Sequence, residues 1–491
     1  MLGFDGMDAT LVRRWAAAGH LPAFAQLLET SVWTQFELPP EYSSGMVWPS
    51  INTGLAPAAH QTYFGTRLVE GTYTLRPRHS SDLRGTSFWR ELAARGYRLV
   101  LMDVPFSRVD AACGGTQIVG WGQHEWGGRR ESHPARLLAR VERDFGRYPI
   151  TPSVEDAWAR GGADGLLHGL LQGIERRTRI LNHLAVANDW EFFYGVFHEA
   201  HGAGHYLWHL SDATHPRFDA SVQARHGDAL LQVYSALDRS LHSLMERLEE
   251  DSALMIILSH GMGPNYNGNH LFPELLARFN RSRGGSAPSV GSASSAQRLW
   301  ESTVGRLPAR IRRDAQRLLS QHVRRWLSTK RRQHPALWRG QAAFALPGLD
   351  GFAAVRVNVQ GREPAGVIRA GEDYDAYLDA LQSEIESWTV GHTGRRAVVR
   401  MHRAARGTEA LRLGVAPDLM LWWDKAGVIE EIRTRTLGTV QGVSGDERTG
   451  EHVMHSLVLL RHPSIAAGPQ TLAGMGISDI ATTLLKLAAV P

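Results

Sequence analysis

The sequence predicts an α/β protein with a mostly parallel central sheet flanked by helices, and three observations carry that prediction. Short apolar runs of strand length alternate with helical patterns, as β–α units feeding a parallel sheet require. The chain has 491 residues, 43% hydrophobic and 21% charged, enough for one large unit with an insertion or for two to three domains. Polar constellations follow directly on several apolar runs, where open α/β sheets carry their working groups, just past the carboxyl ends of strands.

The elements follow in order. A helical pattern over Thr10–Ala18 precedes an apolar run at Tyr97–Val104; a long helical pattern over Leu166–Ala187 leads into a second run at Trp190–Phe197. Asp228–Leu248 is helical and Ala253–Leu258 has the pattern of a buried strand. Further strands are predicted at Val355–Val359, Ala397–Met401, Leu419–Trp423 and Leu457–Leu460, with helices over Asp373–Trp388 and Asp479–Leu487, the last opening with Ser478 as N-cap. No internal repeat is present.

One composition break divides the chain into core segments 1–280 and 341–491 around an insert at 281–340. Residues Arg283–Ser295 form a Gly/Ser/Ala linker, and Arg298–Arg339 is Arg-dense and amphipathic, with Ile311, Leu318, Leu319, Val323, Trp326 and Leu327 as its apolar members. The first expectation is a helical cap with a solvated basic face. Attraction of an anionic substrate is the sharper alternative; contact with an anionic membrane ranks lower, and nucleic acid last, because no known nucleic-acid module is present.

Composition excludes disorder, collagen and disulfide scaffolds. The single cysteine, Cys113, makes no intramolecular disulfide and no cysteine-based metal site, so a reducing, cytoplasmic setting is expected. The opening Met1-Leu2-Gly3-Phe4-Asp5 has no secretory character, and no stretch approaches the ~18 apolar residues of a membrane span. Only Lys330, Lys425 and Lys486 are lysines, so the net charge of +5 is almost entirely guanidinium. Four residues precede Asp5, fewer than the ~5–6 of a typical strand, so the first strand is either clipped or begins upstream.

The 23 histidines are the compositional oddity, and some of them cluster. After the run ending at Phe197 come His198-Glu199-Ala200-His201, then His205 and His209 at spacings of four. On a helix these would share one face, and neighbouring pairs could hold a transition metal. Gly202 and Gly204 argue instead for a loop-to-helix turn. Ser259-His260-Gly261-Met262 follows the run ending at Leu258, and Gly450-Glu451-His452 precedes the last strand. Asp5, followed by Gly6, reads on its own as a turn residue.

Together these pieces resemble the type I phosphodiesterase and nucleotide pyrophosphatase family of the alkaline phosphatase superfamily. Gly3-Phe4-Asp5-Gly6-Met7-Asp8 resembles the family's opening strand and metal-binding aspartate, and His20-Leu21-Pro22 to Leu28 its next stretch. Thr53-Gly54-Leu55-Ala56-Pro57 with His60 resembles the segment after the nucleophile. His201 to His205 sits on the family's Asp-x-x-x-His motif, Ser259-His260-Gly261-Met262 on its Asp-His-Gly-Met, and Gly450-x-His452 on its late Gly-x-His. Asn358 with Gly361-Arg362-Glu363, Pro417-Asp418-Leu419, and Ser478 to Leu485 resemble later family segments.

The resemblance implies an alkaline-phosphatase-like fold, a divalent metal centre of one or two ions, usually zinc, and a Thr or Ser nucleophile at a helix start. Carried over by position, one ion would be held by His201, His205 and His452, the other by Asp5, His260 and a serine oxygen, with Ser259 a supporting candidate beside them. Two family aspartates are replaced, by His201 and Ser259. An ungapped alignment on Ser50, Ile51, Thr53 and Gly54 makes Ser44 the nucleophile; anchoring on Trp48-Pro49 would put Val47 there. Glu199 and His209 are candidates to orient ligand imidazoles or move a proton. The expected activity is metal-dependent hydrolysis of an anionic phosphate ester. The alternatives are a phosphoryl or sulfuryl transferase or one-metal enzyme, and a non-catalytic binding protein with a degenerate metal site.

Overall fold

In a computed structural model of the chain, the described residues are 1–63, 65–122, 129–249, 251–284, 338–346, 351–466, 468 and 474–488. The Arg-dense segment except its last two residues, and most of its linker, lie outside them. Among the described residues, no helix is long and apolar enough to cross a membrane.

Eight strands form the central sheet. Across it they run Val32–Glu37, His455–Arg461, Leu254–Leu258, Leu2–Phe4, Phe192–Phe197, Leu99–Met102, Thr116–Val119 and Glu131–His133. The five from Leu254–Leu258 to Thr116–Val119 are mutually parallel. His455–Arg461 and Glu131–His133 join antiparallel. The first strand is short yet central: Leu2, Gly3 and Phe4 pair with Gly195, Val196 and Phe197 on one side and with Ile256, Ile257 and Leu258 on the other. Its brevity is offset by two full ladders, and Asp5, His198 and Ser259 consequently emerge side by side at the carboxyl edge.

Both faces of the sheet are covered, which explains why the central parallel strands Leu254–Leu258, Leu2–Phe4, Phe192–Phe197 and Leu99–Met102 are apolar throughout. One face packs against the helices Ala9–Ala17, Pro22–Thr30, Val154–Ala187, Glu199–Ser211 and Ala229–Met245. The other buries Trp48, Ile51, Trp89 and Ile480 from the helices Ser44–Thr53, Trp89–Ala94 and Asp479–Leu487. A smaller antiparallel sheet, in the order Ala343–Leu346, Phe352–Val357, Leu419–Trp423, Val398–Arg403, has its own core with the helix Glu372–Glu386.

Local expectations fare unevenly. Leu419–Trp423 and Asp479–Leu487 fall where predicted, and Asp228 caps the helix that follows it by accepting from Leu231 N. Ser478 does not cap with its side chain; its hydroxyl is paired with Tyr42 at 2.8 Å. The loop-to-helix turn expected at Gly202 and Gly204 is absent, because the helix runs unbroken over Glu199–Ser211. Those glycines serve packing: a Cβ on Gly202 would meet Val154 and Leu170, and one on Gly204 would come within 2.7 Å of Met262. The family-like segment around Asn358 and Asp418 braces the smaller sheet, where Arg362 donates to both oxygens of Asp418 and Arg356 to Glu363.

Candidate active site and metal centre

The site lies at the carboxyl edge of the parallel strands, where four separate segments meet. Asp5 follows the strand Leu2–Phe4 and is almost fully buried. Its Oδ1 accepts from Trp48 Nε1 at 2.7 Å and from Ser259 Oγ at 3.2 Å, and lies 3.3 Å from His260 Nε2. Its Oδ2 lies 3.5 Å from His198 Nδ1 and 4.0 Å from His201 Nδ1. Gly6 makes this approach possible, since it adopts φ +64 and a Cβ there would come within 2.7 Å of His201 Cα.

His201 and His205 project from one helical face, one turn apart, with their Nε2 atoms 3.2 Å from each other. His452 comes from the strand Gly450–Val453, which pairs antiparallel with Gly261–Pro264. Its Nε2 lies 2.6 Å from His201 Nε2, with the two rings stacked at an interplanar angle of 3°. The His260 ring is 4.5 Å from that of His452, centroid to centroid. Donor-capable atoms of His201, His260 and His452 all lie within 4.8 Å of one another, as do those of His205, Glu451 and His452.

These residues fit a metal. Three imidazoles place one ring nitrogen on a backbone carbonyl: His198 Nε2 on Asp103 O at 2.8 Å, His205 Nδ1 on Gly450 O at 2.9 Å, and His260 Nδ1 on Gly261 O at 3.3 Å. A carbonyl only accepts, so those nitrogens carry a hydrogen, and the other nitrogen of each ring points inward. The inward nitrogens face the Asp5 carboxylate or another imidazole. Such an array repels itself unless a cation or a proton lies among the donors. Tetrahedral nitrogen ligands at 2.0–2.1 Å from zinc stand about 3.4 Å apart, close to the His201–His205 separation of 3.2 Å.

Burial, with the neighbouring His260 imidazole acting in the same direction, lowers the His452 pKa to about 4, so its ring is neutral and ready to ligate at pH 7. Burial alone would raise the Glu451 carboxyl, but Arg448 and the imidazoles of His452 and His205 hold it well below the usual carboxylate range. The site therefore keeps a carboxylate charge beside its imidazoles.

Ser44 is the first residue of the helix Ser44–Thr53, one turn before Trp48 and on the same face. Ser43 occupies the N-cap position and its hydroxyl is engaged with the Tyr63 carbonyl at 3.0 Å. Val47 is buried in the apolar cluster beneath the helix. Glu199 is placed outside the cluster of donors. It accepts from Arg177 Nε at 3.1 Å and from His198 N at 3.0 Å, while Arg177 also donates to Asp103 at 2.6 Å, all three side chains having no exposed surface. This pair fixes the strand-to-helix elbow that presents His198 and His201. His209 lies a turn beyond His205 and turns away, with Nδ1 on Thr449 Oγ1 at 3.1 Å. Ser259 sits beside Asp5, as its place in the sequence implied.

Sequence reasoning gave no role to Trp48, His198, Arg177 or Glu451. Glu451 carried a signal, being flanked by Gly450 and His452; Arg177 had none, because its partners are 74 and 22 residues away.

The sequence profile of the type I phosphodiesterase / nucleotide pyrophosphatase family matches residues 1–425. Comparison with curated protein sequences finds no match. Among solved structures, phosphonoacetate hydrolase from Sinorhizobium meliloti 1021 resembles the chain at 13% identity, with a TM-score of 0.53 in complex with phosphonoacetate and 0.51 with phosphonoformate. Each of these alignments covers 99% of this chain and 94% of the other. Human ectonucleotide pyrophosphatase / phosphodiesterase 5 gives a TM-score of 0.47 at 11% identity, covering 100% of this chain and 95% of its own. The chain therefore belongs to the type I phosphodiesterase / nucleotide pyrophosphatase family, on an alkaline-phosphatase-like α/β fold.

Proposed function

We propose that the protein is a metal-dependent hydrolase of phosphate esters that works through Ser44. The observation that carries this reading is the convergence of His201, His205, His452, Asp5 and His260 at one edge of the sheet, with ring nitrogens of His201, His205 and His452 within 3.2 Å of a neighbouring imidazole and His260 Nε2 3.3 Å from Asp5. Zinc suits this set, because imidazole nitrogen dominates it and no cysteine is present. A bound divalent ion would polarise the phosphoryl oxygens and offset their charge.

The chain's own residues do the rest. The N-terminus of the helix Ser44–Thr53 offers a partial positive charge to an anionic substrate. Ser44 Oγ attacks phosphorus in line as it gives up its proton, the P–O bond to the leaving alcohol breaks, and one proton passes to the leaving oxygen. Water then attacks phosphorus in the resulting serine-linked phosphodiester, one of its protons returning to Ser44 Oγ, so that the phosphate monoester leaves and Ser44 is restored. Trp48 and Ser259 hold Asp5 in place, and the Arg177–Glu199 pair holds the elbow carrying His198 and His201. Substrate class rests on the family, a diester or pyrophosphate being the first choice; the Arg298–Arg339 segment is the candidate for attracting it.

The test uses the full chain, an aryl phosphodiester and elemental analysis. Ser44→Ala should lower kcat at least 10³-fold while leaving bound metal unchanged. Retained turnover in that variant removes Ser44 from the mechanism, and a wild-type chain without tightly held metal removes the metal.

A further inference from the structure

Glu451 is the one carboxylate that touches the imidazole cluster from the His452 side, and the family-like motifs assign it nothing. Its Oε1 accepts from the His452 backbone N–H at 2.9 Å and lies 3.1 Å from His452 Nδ1. The side chain has no exposed surface, and Gly351 closes over it, a Cβ there coming within 2.9 Å of Glu451 Cγ.

The outward nitrogens of His198, His205 and His260 rest on neutral backbone carbonyls. His452 instead has a carboxylate 3.1 Å from its Nδ1, closer than Asp5 comes to any ring nitrogen of His198, His201 or His260. A carboxylate on the far nitrogen fixes the tautomer of a ligating imidazole and raises its basicity, and losing such a partner typically weakens metal affinity 10–100-fold. Taking a carboxylate fully out of water is costly unless something in the fold uses its charge. Arg448 reaches Oε2 at 3.4 Å from the partly exposed side and supplies part of that compensation.

We propose that Glu451 is the positioning residue of the metal centre. Its Oε1, 3.1 Å from His452 Nδ1, favours a hydrogen on that nitrogen by charge, so that Nε2 turns its lone pair toward His201 and His205, and the same charge stands in for the carboxylates replaced by His201 and Ser259. The strand Gly450–Val453 thus delivers three groups in successive residues: the Gly450 carbonyl that orients His205, the Glu451 carboxylate that orients His452, and His452 itself. This assignment rests on the metal-centre reading above.

The test measures Zn²⁺ affinity of the full chain by competition with a chromophoric chelator. Glu451→Gln keeps the shape and an acceptor oxygen but removes the charge. It should bind Zn²⁺ 10–100-fold more weakly than wild type, with the melting temperature of the metal-free protein little changed. A second measurement needs no variant: ¹⁵N–¹H correlation of the metal-free wild type should show His452 protonated on Nδ1. Equal affinity of E451Q and wild type overturns the assignment, as does a wild-type His452 protonated on Nε2. A wild-type chain with no measurable Zn²⁺ affinity instead overturns the metal-centre reading itself, so the two failures are separable.

Discussion

Trp48 donates its indole N–H to Asp5 Oδ1 across 2.7 Å, linking the helix that begins at Ser44 to the carboxylate that ends the first strand. The same ring packs on Gly3, where a Cβ would come within 2.6 Å of it, so strand, helix and carboxylate are fixed as one unit. A hydrogen bond to a buried charge contributes about 1.5–3 kcal/mol. Trp48→Phe should lower unfolding free energy by about 2 kcal/mol in a denaturant titration and reduce kcat more than it raises KM, because Asp5 loses its fixed direction.

The approach of the strand Gly450–Val453 to the helix Glu199–Ser211 depends on a glycine. A Cβ on Gly450 would overlap the Gly204 carbonyl oxygen and reach within 2.9 Å of Trp208 Cβ. Backbone must move to relieve that, so Gly450→Ala should cost about 3 kcal/mol of stability and weaken metal affinity by more than tenfold. Calorimetry and chelator competition on the same preparation read both.

Among the described residues, Arg177 is the cation that reaches both Asp103 and Glu199. Removing one member of a buried pair leaves uncompensated charge and typically costs about 3–5 kcal/mol. Arg177→Met should therefore destabilise the fold by that amount, and Arg177→Lys should recover only part of it, since one ammonium cannot span both carboxylates. Equal melting temperatures for wild type and R177M would refute the role given to this pair.

Acid should destabilise the protein through its neutral buried histidines. His60 accepts from Thr62 N–H at Nδ1 and pairs with Ser50 through Nε2; burial, helped by Arg78, lowers its pKa to about 4. His209 is lowered to about 4 by burial as well. A folded pKa below the unfolded value of ~6.5 means that the unfolded chain takes up the proton first. Stability is complete above about pH 6.5 and declines as pH falls toward 4, by about 3 kcal/mol from His60. His60→Gln should flatten the unfolding free energy against pH over that window.

The sheet and the edge of the site were legible in sequence because each depends on neighbours along the chain. An apolar run followed by Asp5, by His198 to His205 or by Ser259-His260 states both the strand and what lies at its end. The helix through Gly202 and Gly204 was not legible. Its glycines look like breakers until Val154, Leu170 and Met262 are seen packed where side chains would be. Trp48, Arg177 and Glu451 were missed for a related reason: each acts on a group far away in sequence or across a face, and no local pattern encodes that.

The placement of His455–Arg461 bears on how the molecule is made. This late strand does not extend an edge; it slots between Val32–Glu37 and Leu254–Leu258, pairing antiparallel with both. Until it leaves the ribosome, those two strands each expose an open, apolar rim, and neither His452 nor Glu451 has arrived. At ~5–20 residues per second, the wait after Leu258 is on the order of ten seconds or more. The nascent chain must pass that interval with the candidate site unfinished and two unpaired strand borders facing solvent, which makes this stage the natural point for chaperone engagement or for aggregation.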